Sequence, residues 1–127
     1  MKVCTKENIT GYIALLDTAG IEYTRDVPLA PRTTLRIGGN ADVGVFPDSE
    51  KQIAEAIRDA KKCGARYMVL GNGSNVLFDD AGFRGAVIFT KKLRGVSVDA
   101  TTLCAGAGAS LLAVTTAARD AGLSGLE

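Results

Sequence analysis

The sequence predicts an α+β fold in which a lobe built around a βαβ unit gives way to a smaller, mainly antiparallel lobe. Three observations predict it. A strand at Val43–Phe46, a capped helix from Ser49 to Cys63 and a second strand at Tyr67–Leu70 follow one another closely. After Lys91–Arg94 that pattern yields to short apolar runs separated by turn residues. Hydrophobic residues make up 46% of the 127, enough for one modest domain and too many for a disordered chain.

Ile9, Tyr12, Ile13, Leu16 and Ala19 recur at helical spacing, so a first helix is expected over Asn8–Ala19, with Gly20 ending it. Gly11 weakens that helix by about 1 kcal/mol relative to alanine. Ile21–Pro31 is expected to be a connector, because Pro28 and Pro31 interrupt a ladder. The next stretch, Arg32–Asp42, gathers hydroxyls, Arg36 and the turn signal Gly38-Gly39. Arg36 suits a phosphate or a carboxylate, but on the residues alone a solvated arginine is the better reading.

The helix after Val43–Phe46 has the best local evidence. Ser49 and Gln52 form a capping-box pattern, and Ile53, Ala56, Ile57, Ala60 and Cys63 line one face. Lys61 and Lys62 suit the dipole of its last turn, and Gly64 is the stop. Strand, helix, strand implies two parallel strands.

Tyr67–Leu70 then feeds Gly71-Asn72-Gly73-Ser74-Asn75, and a second apolar run, Val76–Phe78, leaves it. Such a loop can aim several backbone N–H groups at one anion, and its glycines hold no side chain against a ligand. It is not a Walker loop, which needs Gly-Lys-Ser/Thr, and it is not a G-x-G-x-x-G fingerprint, since Val76 stands where the last glycine belongs. A tight turn between two strands fits the spacing equally. The place of the loop, at the carboxyl end of a parallel strand, favours the anion.

Asp79–Gly85 is expected to be a turn with solvated carboxylates, and Ala86–Thr90 a strand. Val96–Val98 and Thr102–Ala105 are expected as short strands, the second running into Ala105-Gly106-Ala107-Gly108-Ala109. Ser110 caps a last helix with Leu111, Val114, Ala118 and Ala121 on one face and Gly122 at its end.

Composition narrows the chemistry. A net charge of +1 does not point to nucleic acid or to a membrane surface. Nothing here is long enough to span a bilayer, and Met1–Lys6 is not followed by a signal-peptide core, so a cytoplasmic location is expected. Three cysteines (Cys4, Cys63 and Cys104) fit neither a disulfide framework nor a zinc pattern. The sequence has no histidine, which removes Ser-His and Cys-His catalysis from these residues and leaves a cofactor as the carrier of any chemistry.

Four stretches, in this order, resemble the N-terminal part of the UDP-N-acetylenolpyruvoylglucosamine reductase (UDP-N-acetylmuramate dehydrogenase) family. They are Pro28-Leu29-Ala30-Pro31-Arg32-Thr33-Thr34-Leu35-Arg36-Ile37-Gly38-Gly39, Tyr67–Phe78, Gly82-Phe83-Arg84-Gly85, and Ala105-Gly106-Ala107-Gly108 with Gly122-Leu123-Ser124-Gly125-Leu126-Glu127. Each is a weak motif, but their order and spacing make the joint match specific, and it covers all but the N-terminal helix.

The resemblance implies the FAD-binding fold of the vanillyl-alcohol-oxidase (PCMH-type) kind. Residues 1–92 would form a first subdomain and residues 93–127 the start of a second, with FAD between them. Gly71, Asn72, Gly73, Ser74 and Asn75 would cradle the FAD pyrophosphate, and Arg36 would contact the cofactor or support it. The implied reaction belongs to peptidoglycan precursor synthesis. NADPH reduces FAD, and the flavin passes a hydride to the enolpyruvyl group of UDP-N-acetylglucosamine enolpyruvate, giving UDP-N-acetylmuramate. The positions of the family's catalytic serine and glutamate have no counterpart here. Ser124 and Glu127 match a helix-exit segment, so no catalytic residue and no metal ligand is assigned, and a truncated, inactive FAD-binding portion is expected. A non-catalytic diphosphate-binding module and a ligand-free structural fragment are the other readings.

Overall fold

The computed structural model describes residues 4–126. Met1–Val3 and Glu127, the last residue of the resembling stretches, lie outside the described residues. Helix α1 spans Lys6–Ala19, two residues earlier than its apolar spacing suggests. The reason is a capping box: Thr5 accepts from the Asn8 backbone N–H, and the Asn8 side chain accepts from the Thr5 N–H at 2.8 Å. Ile9, Tyr12, Ile13 and Leu16 are buried, and Gly20 closes the helix at φ 70°. A Cβ on Gly11 would lie 3.6 Å from Cys63 Sγ of the second helix, an ordinary contact, so the packing of α1 does not require glycine there.

The segment expected as a connector contains a strand, β1 (Tyr23–Pro28). It escapes sequence reading because only Val27 is buried and the rest is polar or half-buried. Its place explains how Pro28 is tolerated: β1 is an edge strand paired on one side only, antiparallel to β2 (Asn40–Val45), and Pro28 sits at the end of that pairing opposite Asn40.

Helix α2 (Glu50–Cys63) and strand β3 (Tyr67–Leu70) follow as expected, with Ser49 accepting from the Gln52 N–H and Gly64 at φ 69°. The next strand, β4 (Phe83–Phe89), starts within the expected turn. It inserts between β2 and β3, giving the order β1-β2-β4-β3. Strands β2 and β3 are parallel, as the βαβ pattern requires, but both pair with β4 rather than with each other. Strands β5 (Val96–Asp99) and β6 (Thr102–Ala105) form a separate antiparallel hairpin, against which helix α3 (Leu111–Asp120) packs.

Two apolar clusters cover the two faces of the larger sheet. One joins α1 and α2 to Val43, Val45, Ala86 and Ile88; the other holds Val27, Leu29, Leu70, Phe78, Val87 and Phe89. The alternation of Ala86 and Ile88 against Val87 and Phe89 is the period of a sheet buried on both faces, whereas Ala41 and Val43 fall on opposite faces because the β2–β4 register shifts between them. The hairpin and α3 contribute only Ala118 to the fully buried set, and Leu111 and Leu112 of α3 face outward at 74% and 76% exposure. The face expected for α3 is therefore packed at Ala118 and open at Leu111.

Tyr12 reaches across from α1 and donates to the Ala56 carbonyl of α2 at 2.9 Å. Burial, with lesser help from the charges of Asp59 and Cys63, pushes its phenol well above the ordinary value. The fold thus holds the neutral phenol. Its contribution is complete below the unfolded-state pKa of about 10 and is lost as pH rises towards the folded-state value. Tyr12→Phe is expected to cost about 1 kcal/mol at neutral pH and to lessen the fall in stability above pH ~10. Urea unfolding in neutral and alkaline buffer checks this; an unchanged alkaline slope contradicts it.

Candidate functional site

Parallel pairing delivers the carboxyl ends of β3 and β4 to one edge of the sheet, which is where Gly71–Asn75 and the segment after Phe89 meet. The glycine loop leaves β3 directly. Among the described residues, no protein acceptor takes the backbone N–H groups of Asn72, Gly73, Ser74 or Asn75. The side chains of Asn72, Ser74 and Asn75 are exposed and also make no hydrogen bond to another described residue. Val76–Phe78, expected to be extended, forms no ladder; it runs beside the Arg32–Gly39 segment and buries Phe78 beneath it.

That contact explains the glycines. Gly73 has φ 72°, and a Cβ on it would stand 2.3 Å from the Arg32 carbonyl oxygen. The Thr34 N–H donates to the Gly73 carbonyl at 3.0 Å. Gly38, at φ 137°, would place a Cβ 2.6 Å from that of Phe78, and the Gly39 N–H donates to Asp79 at 2.9 Å. The smooth side of Gly73 thus faces the Arg32–Thr33 backbone, and its N–H is left without a protein acceptor among the described residues. Asp79 is spent on its own turn, accepting from the Ala81 N–H at 2.9 Å.

Arg36 is brought to this loop pair by the Thr34–Gly73 bond. It is exposed and has φ 54°, a left-handed conformation rare outside glycine. Its N–H is held by the buried Thr33, at 3.3 Å from the carbonyl and 3.2 Å from the hydroxyl. Among the described residues its guanidinium has no hydrogen-bond or ion-pair partner. Arg32 behaves differently. Its guanidinium lies 4.9 Å from the Phe46 ring centre and 4.8 Å from that of Phe89, and those rings are themselves stacked 5.1 Å apart. The apolar ends of β2 and β4 therefore fix Arg32 and, through its backbone, Gly73.

The second glycine stretch closes the same edge from the hairpin side. Thr90 is a buried hydroxyl that donates to the Ala107 carbonyl at 2.9 Å. A Cβ on Gly108 would stand 1.9 Å from the Thr90 carbonyl oxygen, so the two backbones touch. A cleft of about 480 Å³ is left between the elements, lined by Asn72, Lys91, Lys92, Arg94, Gly108, Ser110 and Ala113. The structure thus brings Asn72 to the basic cluster, while Gly73 and Arg36 belong to the loop contact beside it. Thr90 was not foreseen as part of the site, because a threonine ending a strand gives no local signal of the carbonyl it will meet 17 residues later. No group of three or more His, Cys, Asp or Glu side chains able to hold a metal is found among the described residues.

Residues 41–126 match the FAD binding domain family. Among curated relatives, the UDP-N-acetylenolpyruvoylglucosamine reductase of Caldicellulosiruptor bescii is 45% identical over 112 residues, covering 88% of this chain and 36% of that protein. The enzyme of the same name from Streptococcus thermophilus is 39% identical, covering 87% of this chain and 36% of its own length. The chain thus spans about a third of the length of these relatives. Among solved structures, a BBE-like 1 variant from Physcomitrella patens superposes with a TM-score of 0.66 at 21% identity, covering 87% of this chain and 26% of that one. Glucooligosaccharide oxidase from Acremonium strictum gives 0.65 at 21% identity, covering 87% and 25%. At such identity the likeness is one of fold.

Proposed function

This chain belongs to the FAD binding domain family, and on that premise we propose that it is the flavin-binding portion of a UDP-N-acetylenolpyruvoylglucosamine reductase. The observation that carries the proposal is the run of unclaimed N–H groups at Asn72, Gly73, Ser74 and Asn75, beside a cationic cleft at the carboxyl ends of parallel strands. Such donors suit a diphosphate, and the residues present fit the cofactor on that ground. Gly71, Asn72, Gly73, Ser74 and Asn75 would hold the diphosphate, with Arg36 beside them as a cation of fixed backbone. We further propose residues 1–92 and 93–127 as the two flavin-binding subdomains, in a cytoplasmic enzyme of peptidoglycan precursor synthesis.

FAD supplies hydride chemistry when bound, with NADPH as the donor and UDP-N-acetylglucosamine enolpyruvate as the acceptor in the whole reaction. The task of the present residues is narrower. They bind the dinucleotide and orient it between sheet and hairpin. No residue described here is given a catalytic part.

Titration of the 127-residue chain with FAD, followed by flavin fluorescence and melting temperature, tests the proposal. Saturable binding with a raised melting temperature is expected, by about 2.7 kcal/mol of added stability at a hundredfold excess over Kd. ADP without flavin binding as tightly as FAD would favour a general diphosphate-binding module instead. A folded chain indifferent to both ligands would refute binding by these residues.

A further inference from the structure

The basic cluster after β4 is not used by the glycine loop, yet it lines the same cleft. Its three cations are not equivalent. Lys92 is paired with the Glu22 carboxylate. Lys91 and Arg94 have no carboxylate partner among the described residues. Both are exposed side chains on a fixed backbone, for the Leu93 N–H between them donates to Thr90 at 2.9 Å and the Leu93 carbonyl accepts from Gly108 at 2.8 Å. The Ser110 hydroxyl, also in the cleft, is occupied in capping α3, accepting from the Ala113 N–H at 3.1 Å. Gly108 brings no side chain into the space.

We infer that Lys91 and Arg94 are binding residues for the diphosphate of the dinucleotide, completing with side-chain charge what Asn72 and its neighbours begin with backbone N–H groups. The inference deepens the flavin reading and rests on it. Two unpaired like charges converging on one cleft raise each other's energy, and a dianion between them removes that cost. Peptide dipoles alone carry only partial charge, and Arg36 brings one cation, so a diphosphate with two negative charges draws on a further cation from elsewhere. The strap that links the sheet to the hairpin supplies it. Binding then also ties the two parts together, because one wall of the cleft comes from each.

The test is FAD titration of the full 127-residue chain at low and raised salt, for Lys91→Gln, Arg94→Gln and the double variant. Arg58→Gln, the same charge change on an exposed position of α2, serves as control. Each single variant is expected to weaken FAD about fivefold, the size of an exposed charge pair, and the double variant to lose most of the salt dependence. ADP is expected to show the same losses, and riboflavin, which has no phosphate, none. Unchanged FAD affinity and salt dependence in the double variant would overturn the inference and leave the flavin reading standing. A folded chain that binds neither FAD nor ADP would overturn both.

Discussion

Gly73→Val is expected to destabilise the chain by about 2–4 kcal/mol and to weaken FAD at least tenfold. Two causes add. A β-branched side chain resists the left-handed backbone that Gly73 adopts at φ 72°, and its Cβ would stand 2.3 Å from the Arg32 carbonyl oxygen. That oxygen belongs to the backbone of an arginine whose guanidinium rests against the stacked Phe46 and Phe89 rings, so it cannot swing away as a flexible side chain would. The loop must move instead, and its N–H groups with it. Gly71→Ala is the informative companion. A Cβ there meets its nearest neighbours, Ala107 O and Thr90 Oγ1, at 3.8 and 3.9 Å, which is ordinary contact. Its stability should stay within about 0.5 kcal/mol, so any loss of FAD affinity reports ligand approach rather than packing. If Gly73→Val melted and bound FAD like the unchanged chain, the account of the loop would fail.

Gly108→Val is expected to act on the other side of the cleft, and selectively. A Cβ at Gly108 would lie 1.9 Å from the Thr90 carbonyl oxygen and 2.7 Å from its carbon. No rotamer relieves a backbone contact of that kind, so the 105–109 stretch must lift off the end of β4 and give up the Thr90–Ala107 hydrogen bond. Both apolar clusters are built wholly from residues before Thr90. The four-stranded sheet should therefore keep its melting transition to within a few degrees, while the β5–β6 amides lose most of their protection from hydrogen exchange. FAD binding should fall at least tenfold, since one wall of the cleft has moved. Loss of the whole fold, or retained protection in the hairpin, would contradict this division of labour.

α1 and α2 were legible because their signals are local: apolar spacing on one face, Ser49 at the cap of α2, Gly20 and Gly64 at the ends; the Thr5 cap that starts α1 two residues early was not read in advance. The glycine loop was legible for the same reason, as small residues after a β-run. The FAD-binding family was legible from four short stretches whose order no single turn explains, and residues 41–126 match it.

Strand β1 was not legible, because an edge strand with one buried residue has no alternation to display. The insertion of β4 between β2 and β3 was not legible either, since periodicity tells which residues are extended and not which strand they join. Local sequence signals are enough for the two long helices, the parallel βαβ character, the small-residue loop and the flavin-binding family. The tertiary structure alone decided that Gly73 presses on Arg32, that Thr90 clasps Ala107, and that Asn72 shares a cleft with Lys91 and Arg94. The physical reason is the range of the forces concerned. Helix caps and turn dihedrals are settled within a few residues, whereas a cleft exists only where backbones far apart in sequence are packed to contact.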